Sequence, residues 1–121
     1  MNYRDQFARL SKLQESGDNE ECWKEFYTED IVRRITGLEP LVGRDACQRQ
    51  VRDFADGLTG SPKIGPSAIA FEDENQVSIV EFRHDFSHKE WGEVSQMQTH
   101  VQRWREGKIY EEIIYVINLK S

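Results

Sequence analysis

The chain has 121 residues, enough to bury one core without disulfide or metal staples, and is read as a single domain over 1–121. Sixteen basic and 22 acidic side chains leave a formal charge of −6, which argues against nucleic acid or an anionic membrane as main partner, since both favour basic surfaces. With 37% apolar and 11% aromatic residues the composition suits a packed fold rather than a disordered chain. No apolar run approaches the roughly 18 residues of a membrane helix, and the polar start Met1-Asn2-Tyr3-Arg4-Asp5 predicts no signal peptide.

Tyr3, Phe7, Leu10 and Leu13 recur at spacings of three and four, which predicts a first helix with one buried face. Gly17 and Asp18 break it, and Asp18 or Asn19 is placed to cap a second helix with the stripe Cys22, Trp23, Phe26 and Tyr27. The β-branched run from Ile31 to Ile35 reads as a short strand, followed by the turn-like Gly37-Leu38-Glu39-Pro40. A third helix opens at Gly43-Arg44-Asp45, with Asp45 placed to cap it or to complement its positive N-terminal dipole. Its buried face is Ala46, Cys47, Val51, Phe54, Ala55 and Leu58, and Gly57 and Gly60 end it. Beyond Pro62 and Pro66 the period shifts to two, with strands at roughly 63–73, 76–88, 94–105 and 108–119. Short breaks between long strands mean hairpins, hence an antiparallel meander with helices on one face: an α+β domain. Cys22 and Cys47 fall on apolar helix positions, where a free cysteine acts as a small hydrophobe, so a reducing, cytoplasmic setting is expected.

Three stretches bear a family resemblance. Phe26-Tyr27-Thr28-Glu29-Asp30-Ile31 resembles the end of the second helix in nuclear transport factor 2-like proteins, and Gly43-Arg44-Asp45-Ala46 resembles the element that opens their third helix. Trp104-Arg105-Glu106-Gly107-Lys108-Ile109, followed by Glu111, is similar to a hairpin of the SnoaL-like, polyketide cyclase-like branch. The resemblance implies a cone-shaped fold: a strongly bent antiparallel sheet wrapped around three N-terminal helices, with an internal pocket. It also implies a homodimer through the convex sheet face. Ketosteroid isomerase-like members carry a catalytic aspartate on the strand after the second helix. The matching stretch here is Arg33-Arg34-Ile35-Thr36, which holds no acid.

Alternation along the strands then sorts the pocket residues. Pairing Arg105 with Lys108 across Glu106-Gly107 sets Trp104 against Ile109, Gln102 against Glu111, His100 against Ile113 and Gln98 against Tyr115. Across the turn near Gly92, Phe82 is expected opposite His100, and His84 opposite Gln98. One face then gathers His84, His100, Glu111 and Tyr115 as candidate acid–base residues. Phe82, Phe86, Gln96, Gln98, Gln102, Trp104 and Ile113 join them as a candidate ligand lining, with Trp23 and Arg34 added from the second helix and the strand after it. So many polar groups either hydrogen-bond one another or line a wet cavity, because an unpaired buried polar group costs about 1–3 kcal/mol. Each histidine is either a structural imidazole or a general acid or base. His88, beside the turn, is expected in solvent.

The function expected is binding of a small, largely apolar molecule, anionic if an arginine faces inward, with cofactor-free acid–base chemistry of isomerase, cyclase, dehydratase or hydrolase type. The alternative is a non-enzymatic ligand carrier or dimerisation module. No cofactor or metal is implied.

Overall fold

The computed structural model describes residues 2–16 and 19–119. Helices α1 (Tyr3–Ser16) and α2 (Asn19–Phe26) lead directly into β1 (Tyr27–Ile35); β2 (Leu41–Val42) and α3 (Arg44–Asp56) follow. The remainder is strand: β3 (Lys63–Ile64), β4 (Ala68–Glu72), β5 (Val77–His88), β6 (Gly92–Arg105) and β7 (Lys108–Asn118). The Gly17-Asp18 break, and Asp18 as a cap, lie outside the described residues. Tyr27 belongs to β1 rather than α2, and the stretch expected as one strand from 63 to 73 is two, interrupted at Gly65-Pro66 where proline offers no amide hydrogen to a ladder. Gly43, at a φ of 95°, precedes α3 with no side-chain cap, so Asp45 acts from inside the first turn.

The strands form one curved, unclosed sheet in the order β2-β1-β7-β6-β5-β3, with β4 also on β5. The meander from β4 to β7 is antiparallel, as the short turns require, whereas β1 joins β7 in parallel, so the sheet is mixed. The β6–β7 turn has Glu106 and Gly107 at φ of 53° and 78°, the two consecutive positive values of a tight two-residue hairpin, which sets Arg105 against Lys108 and Trp104 against Ile109.

Tyr3, Phe7 and Leu10 of α1 and Cys22, Trp23 and Phe26 of α2 meet Tyr27, Ile31, Cys47, Trp104 and Ile109 in one core on the concave side of the sheet. Phe71 of β4 closes it with edge-on contacts to the Tyr3 and Phe7 rings, at 5.8 and 5.3 Å between centroids. Both cysteines are free and buried, and burial raises the Cys47 thiol pKa. At the other end, α3 packs Phe54 over Phe86 and His88 of β5. Here Gly57 is required by packing: a Cβ on it would fall 1.9 Å from His88 Nε2. His88 is therefore not in solvent. It is 5% exposed, held between Phe54 and Trp91, because the hairpin folds back over the end of α3.

Candidate functional site

The concave face is organised by a register shift. Past the tight hairpin, Trp104 opposes Ile109 but Arg103 opposes Glu111, so Tyr110 is an extra residue, a β-bulge. From there on Gln102 faces Glu112, His100 faces Ile114 and Gln98 faces Val116, each one residue beyond the expected partner. A one-residue slip inverts the faces of a strand. Glu111, Ile113 and Tyr115 therefore leave the helix-covered side, and Glu112, Ile114 and Val116 take their places. Tyr115 is 53% exposed, and Glu111 contacts Arg103 at 3.1 Å and Arg34 at 3.5 Å across the convex face. Arg34 points outward, and it is Arg33 that points in.

Between β5 and β6 the observed pairs are His84 with Gln96, Phe82 with Gln98 and Val80 with His100. This is two residues from the expected register, because the hairpin turn is tighter, His88 pairing with Gly92 across Lys89, Glu90 and Trp91, and an even shift leaves the faces unchanged. Phe82, His84, Phe86, Gln96, Gln98, His100 and Gln102 thus share the concave face as expected.

The polar side chains among them are joined end to end. Trp104 donates through Nε1 to Ser78 Oγ at 2.8 Å, and Ser78 donates to Gln102 Oε1 at 2.8 Å. Gln102 Nε2 donates to Glu112 Oε2 at 2.8 Å, and Glu112 Oε1 meets the Arg33 guanidinium at 2.6 Å in a buried ion pair. The Arg33 guanidinium also lies 5.0 Å over the Trp23 ring, so Trp23 supports the pair from within the core. Burial opposes ionisation of Glu112, yet the Arg33 charge, His100 and the Gln102 amide hold its carboxyl well below the usual carboxylate range.

Further along, His100 Nδ1 lies 3.8 Å from Glu112 Oε2, and its Nε2 lies 2.9 Å from Gln98 Oε1. Gln98 Nε2 donates to Gln96 Oε1 at 2.9 Å and meets His84 Nδ1 at 3.3 Å, and Gln96 Nε2 donates to Asn118 Oδ1 at 3.1 Å. One amide thus bridges both histidines. Beside this row runs an aromatic floor: Phe82 touches His100 and His84 at 5.2 and 6.2 Å, and Phe86 and Phe54 approach His84 at 4.8 and 6.1 Å. Burial lowers the His84 pKa, with Asp85 opposing and His100 adding to the shift, which favours a neutral ring. His84 Nε2 has no hydrogen-bond partner among the described residues.

Two clefts lie beside the β5–β6 hairpin. One of ≈ 730 Å³ lies between α3, Leu38 and Leu41 near β2, and His88–Trp91 of the hairpin; another of ≈ 420 Å³ has Phe86, Gln96 and Asn118 on its walls. Trp91 borders both. Among the described residues, no group of three or more His, Cys, Asp or Glu side chains could hold a metal ion.

The sequence reading missed Glu112, Arg33 and Ser78. Glu111-Glu112-Ile113-Ile114 repeats each residue type once, so alternation reads equally well in either register there.

Three helices thus lie against a curved sheet that carries this polar row on its concave side. No family model and no curated protein matches the sequence. Solved structures match almost end to end. One, from Mesorhizobium loti and provisionally named a SnoaL-like polyketide cyclase, is 16% identical with a TM-score of 0.76 over 95% of this chain and 99% of its own. An NTF2-like protein of unknown function from Burkholderia pseudomallei is 11% identical, with a TM-score of 0.76 over 94% and 89%. SalBIII, an epoxide hydrolase/cyclase-like enzyme of pyran ring formation in salinomycin, is 18% identical, with a TM-score of 0.73 over 95% and 90%. The chain has the nuclear transport factor 2-like fold.

Proposed function

We propose that the concave face binds a small, largely apolar, neutral molecule through a carbonyl oxygen seated on His84, and that His84 and His100 carry cofactor-free proton transfer on it. The observation that carries this reading is the His84 ring: half-buried on an aromatic floor, kept neutral, and with Nε2 unpartnered while the polar groups around it are engaged. An anionic ligand is disfavoured because Arg33, the inward arginine, is committed to Glu112. Relatives of the same fold named as cyclases, epoxide hydrolase-like enzymes or isomerases support small-molecule chemistry without selecting one reaction. Glu111 and Tyr115 drop out of the acid–base set, and Glu112 enters as the residue that orients His100.

The binding part is tested with prodan, a neutral naphthyl ketone whose fluorescence shifts to the blue in apolar surroundings. Binding to the wild type, weakened about tenfold in His84→Phe, as fits loss of one hydrogen bond of about 1.4 kcal/mol, supports it; equal affinity in both proteins overturns it. The chemical part is tested with 5-nitrobenzisoxazole, in which a base removes the C3 proton, the N–O bond breaks and a cyano-nitrophenolate is released. Turnover that depends on His84 is expected. Prodan binding without turnover would favour a second reading, a carrier, for which the otherwise self-satisfied polar row speaks.

The convex face bears Ile79, Met97, Val101, Ile113, Tyr115 and Ile117, with Tyr115 and Ile117 53% and 66% exposed, and the Arg34–Glu111–Arg103 ion triad beside them. A surface mixing apolar residues with both charges can complement itself about a two-fold axis, which supports a homodimer through this face. The buried free thiols suit a reducing, cytoplasmic setting.

A further inference from the structure

Gln98 touches both histidines with opposite ends of one amide, and this constrains where their protons lie. In the arrangement described, the amide NH2 points to His84 Nδ1 and Gln96 Oε1, and the amide oxygen to His100 Nε2. An amide NH2 only donates and its oxygen only accepts. His84 must therefore present a bare Nδ1 to Gln98, which leaves its proton on Nε2, and His100 must carry a proton on its own Nε2. In this state the Nε2 of His84 is a hydrogen-bond donor.

The row has a second self-consistent polarity. If Asn118, Gln96 and Gln98 all turn over, Asn118 donates to Gln96, Gln96 donates to the Gln98 oxygen, and that oxygen also accepts a proton on His84 Nδ1. The Gln98 NH2 then faces His100 Nε2, which must be bare, and the His100 proton moves to Nδ1, toward Glu112 Oε2 at 3.8 Å. In this second state the Nε2 of His84 carries a lone pair. Asn118 and Gln96 sit at the solvent-facing end, so reversing the row buries no unpaired group.

We infer that Gln98 is a positioning residue that locks the tautomers of His84 and His100 to each other, switching the unpartnered Nε2 of His84 between hydrogen-bond donor and proton acceptor. The inference rests on the proposed role of His84 but concerns the free protein. The charged and titratable groups around the pair are Asp85 and His100 toward His84, and Glu112 and Arg33 toward His100; from the helix layer His84 meets the uncharged Phe54.

The test is long-range ¹H–¹⁵N spectroscopy of protein labelled in its histidine rings, without ligand and at alkaline pH. The wild type is expected to show His84 with its proton on Nε2. Gln98→Glu supplies a carboxylate that only accepts, so the His84 tautomer ratio should shift at least tenfold toward Nδ1–H while His100 keeps its Nε2 proton. His100→Phe frees the amide to turn and should move His84 the same way in wild type, yet leave it unmoved in a Gln98→Met background. A His84 tautomer ratio that changes less than twofold in Gln98→Glu overturns the inference, as does an equal response to His100→Phe with and without Gln98. Because no ligand is involved, this can fail while prodan binding succeeds, and the reverse.

Discussion

Arg33→Met is the substitution whose consequence is most directly calculable. It removes the cation from a pair in which the Arg33 and Glu112 side chains are 8% and 2% exposed, at 2.6 Å, and leaves Glu112 charged and buried. Removing one member of such a pair costs about 3–5 kcal/mol. The Gln102 amide at 2.8 Å and the His100 ring at 3.8 Å still face the carboxylate, which places the loss near the lower end. For a domain of this size about 3 kcal/mol lowers Tm by roughly 10 °C. The pH dependence reverses sign as well. In the wild type Glu112 is held below the usual carboxylate range, so its contribution is complete above the unfolded value, about 4.3, and is lost as pH falls below it. In Arg33→Met burial dominates and raises the folded value, so the deficit is largest at neutral pH and shrinks on acidification. Adding Glu112→Gln removes the orphaned charge while keeping an acceptor for Gln102, and should recover at least half the loss. Urea unfolding followed by tryptophan fluorescence at several pH values measures all three proteins. An Arg33→Met variant within 1 kcal/mol of wild type at neutral pH, or a double variant no more stable than the single, would refute this reasoning.

Other outcomes follow from the same contacts. Gly57→Ala suits its φ of −88° but drives a methyl to 1.9 Å from His88 Nε2, so it should cost about 1–3 kcal/mol by displacing that ring; His88→Ala should relieve the clash in an unfolding double-mutant cycle. Ser78→Ala strands Trp104 Nε1 and Gln102 Oε1 together, and denaturant titration should show a loss of at least 2 kcal/mol, at about 1–3 for each orphaned group. If His84 is the base toward 5-nitrobenzisoxazole, the rate should be level around pH 7 and fall only below the ordinary histidine range, since burial lowers the His84 pKa; a decline beginning above that range would contradict it. Sedimentation at micromolar concentration should give twice the chain mass, and Tyr115→Glu with Ile117→Glu should halve it with the fold intact.

Much of this fold was legible because its elements are regular. The first and third helices show one apolar face each, and β5 and β6 alternate cleanly over twelve and fourteen residues, so Phe82, His84, Phe86, Gln98 and His100 could be placed on one face even with the register two residues off. What could not be read was β7. Its central residues come in like pairs, so alternation carries no phase there, and the bulge at Tyr110 is a local backbone event with no composition of its own. That one extra residue exchanged Glu111 for Glu112 and moved Tyr115 to the outside; Arg33 faces the interior because it lies two residues beyond the buried Ile31 on β1, where it pairs with Glu112. His88 was misplaced for a different reason: a hairpin tip is normally wet, and only the missing side chain at Gly57 allows this one to tuck against α3.

The most direct measurement is a crystal structure of the protein grown with prodan. The ketone oxygen should lie about 3 Å from His84 Nε2, with the naphthyl ring against Phe82 and Phe86. Prodan bound only in the cleft between Leu38 and Trp91, or on the concave face with its oxygen turned away from His84, would contradict the proposed site.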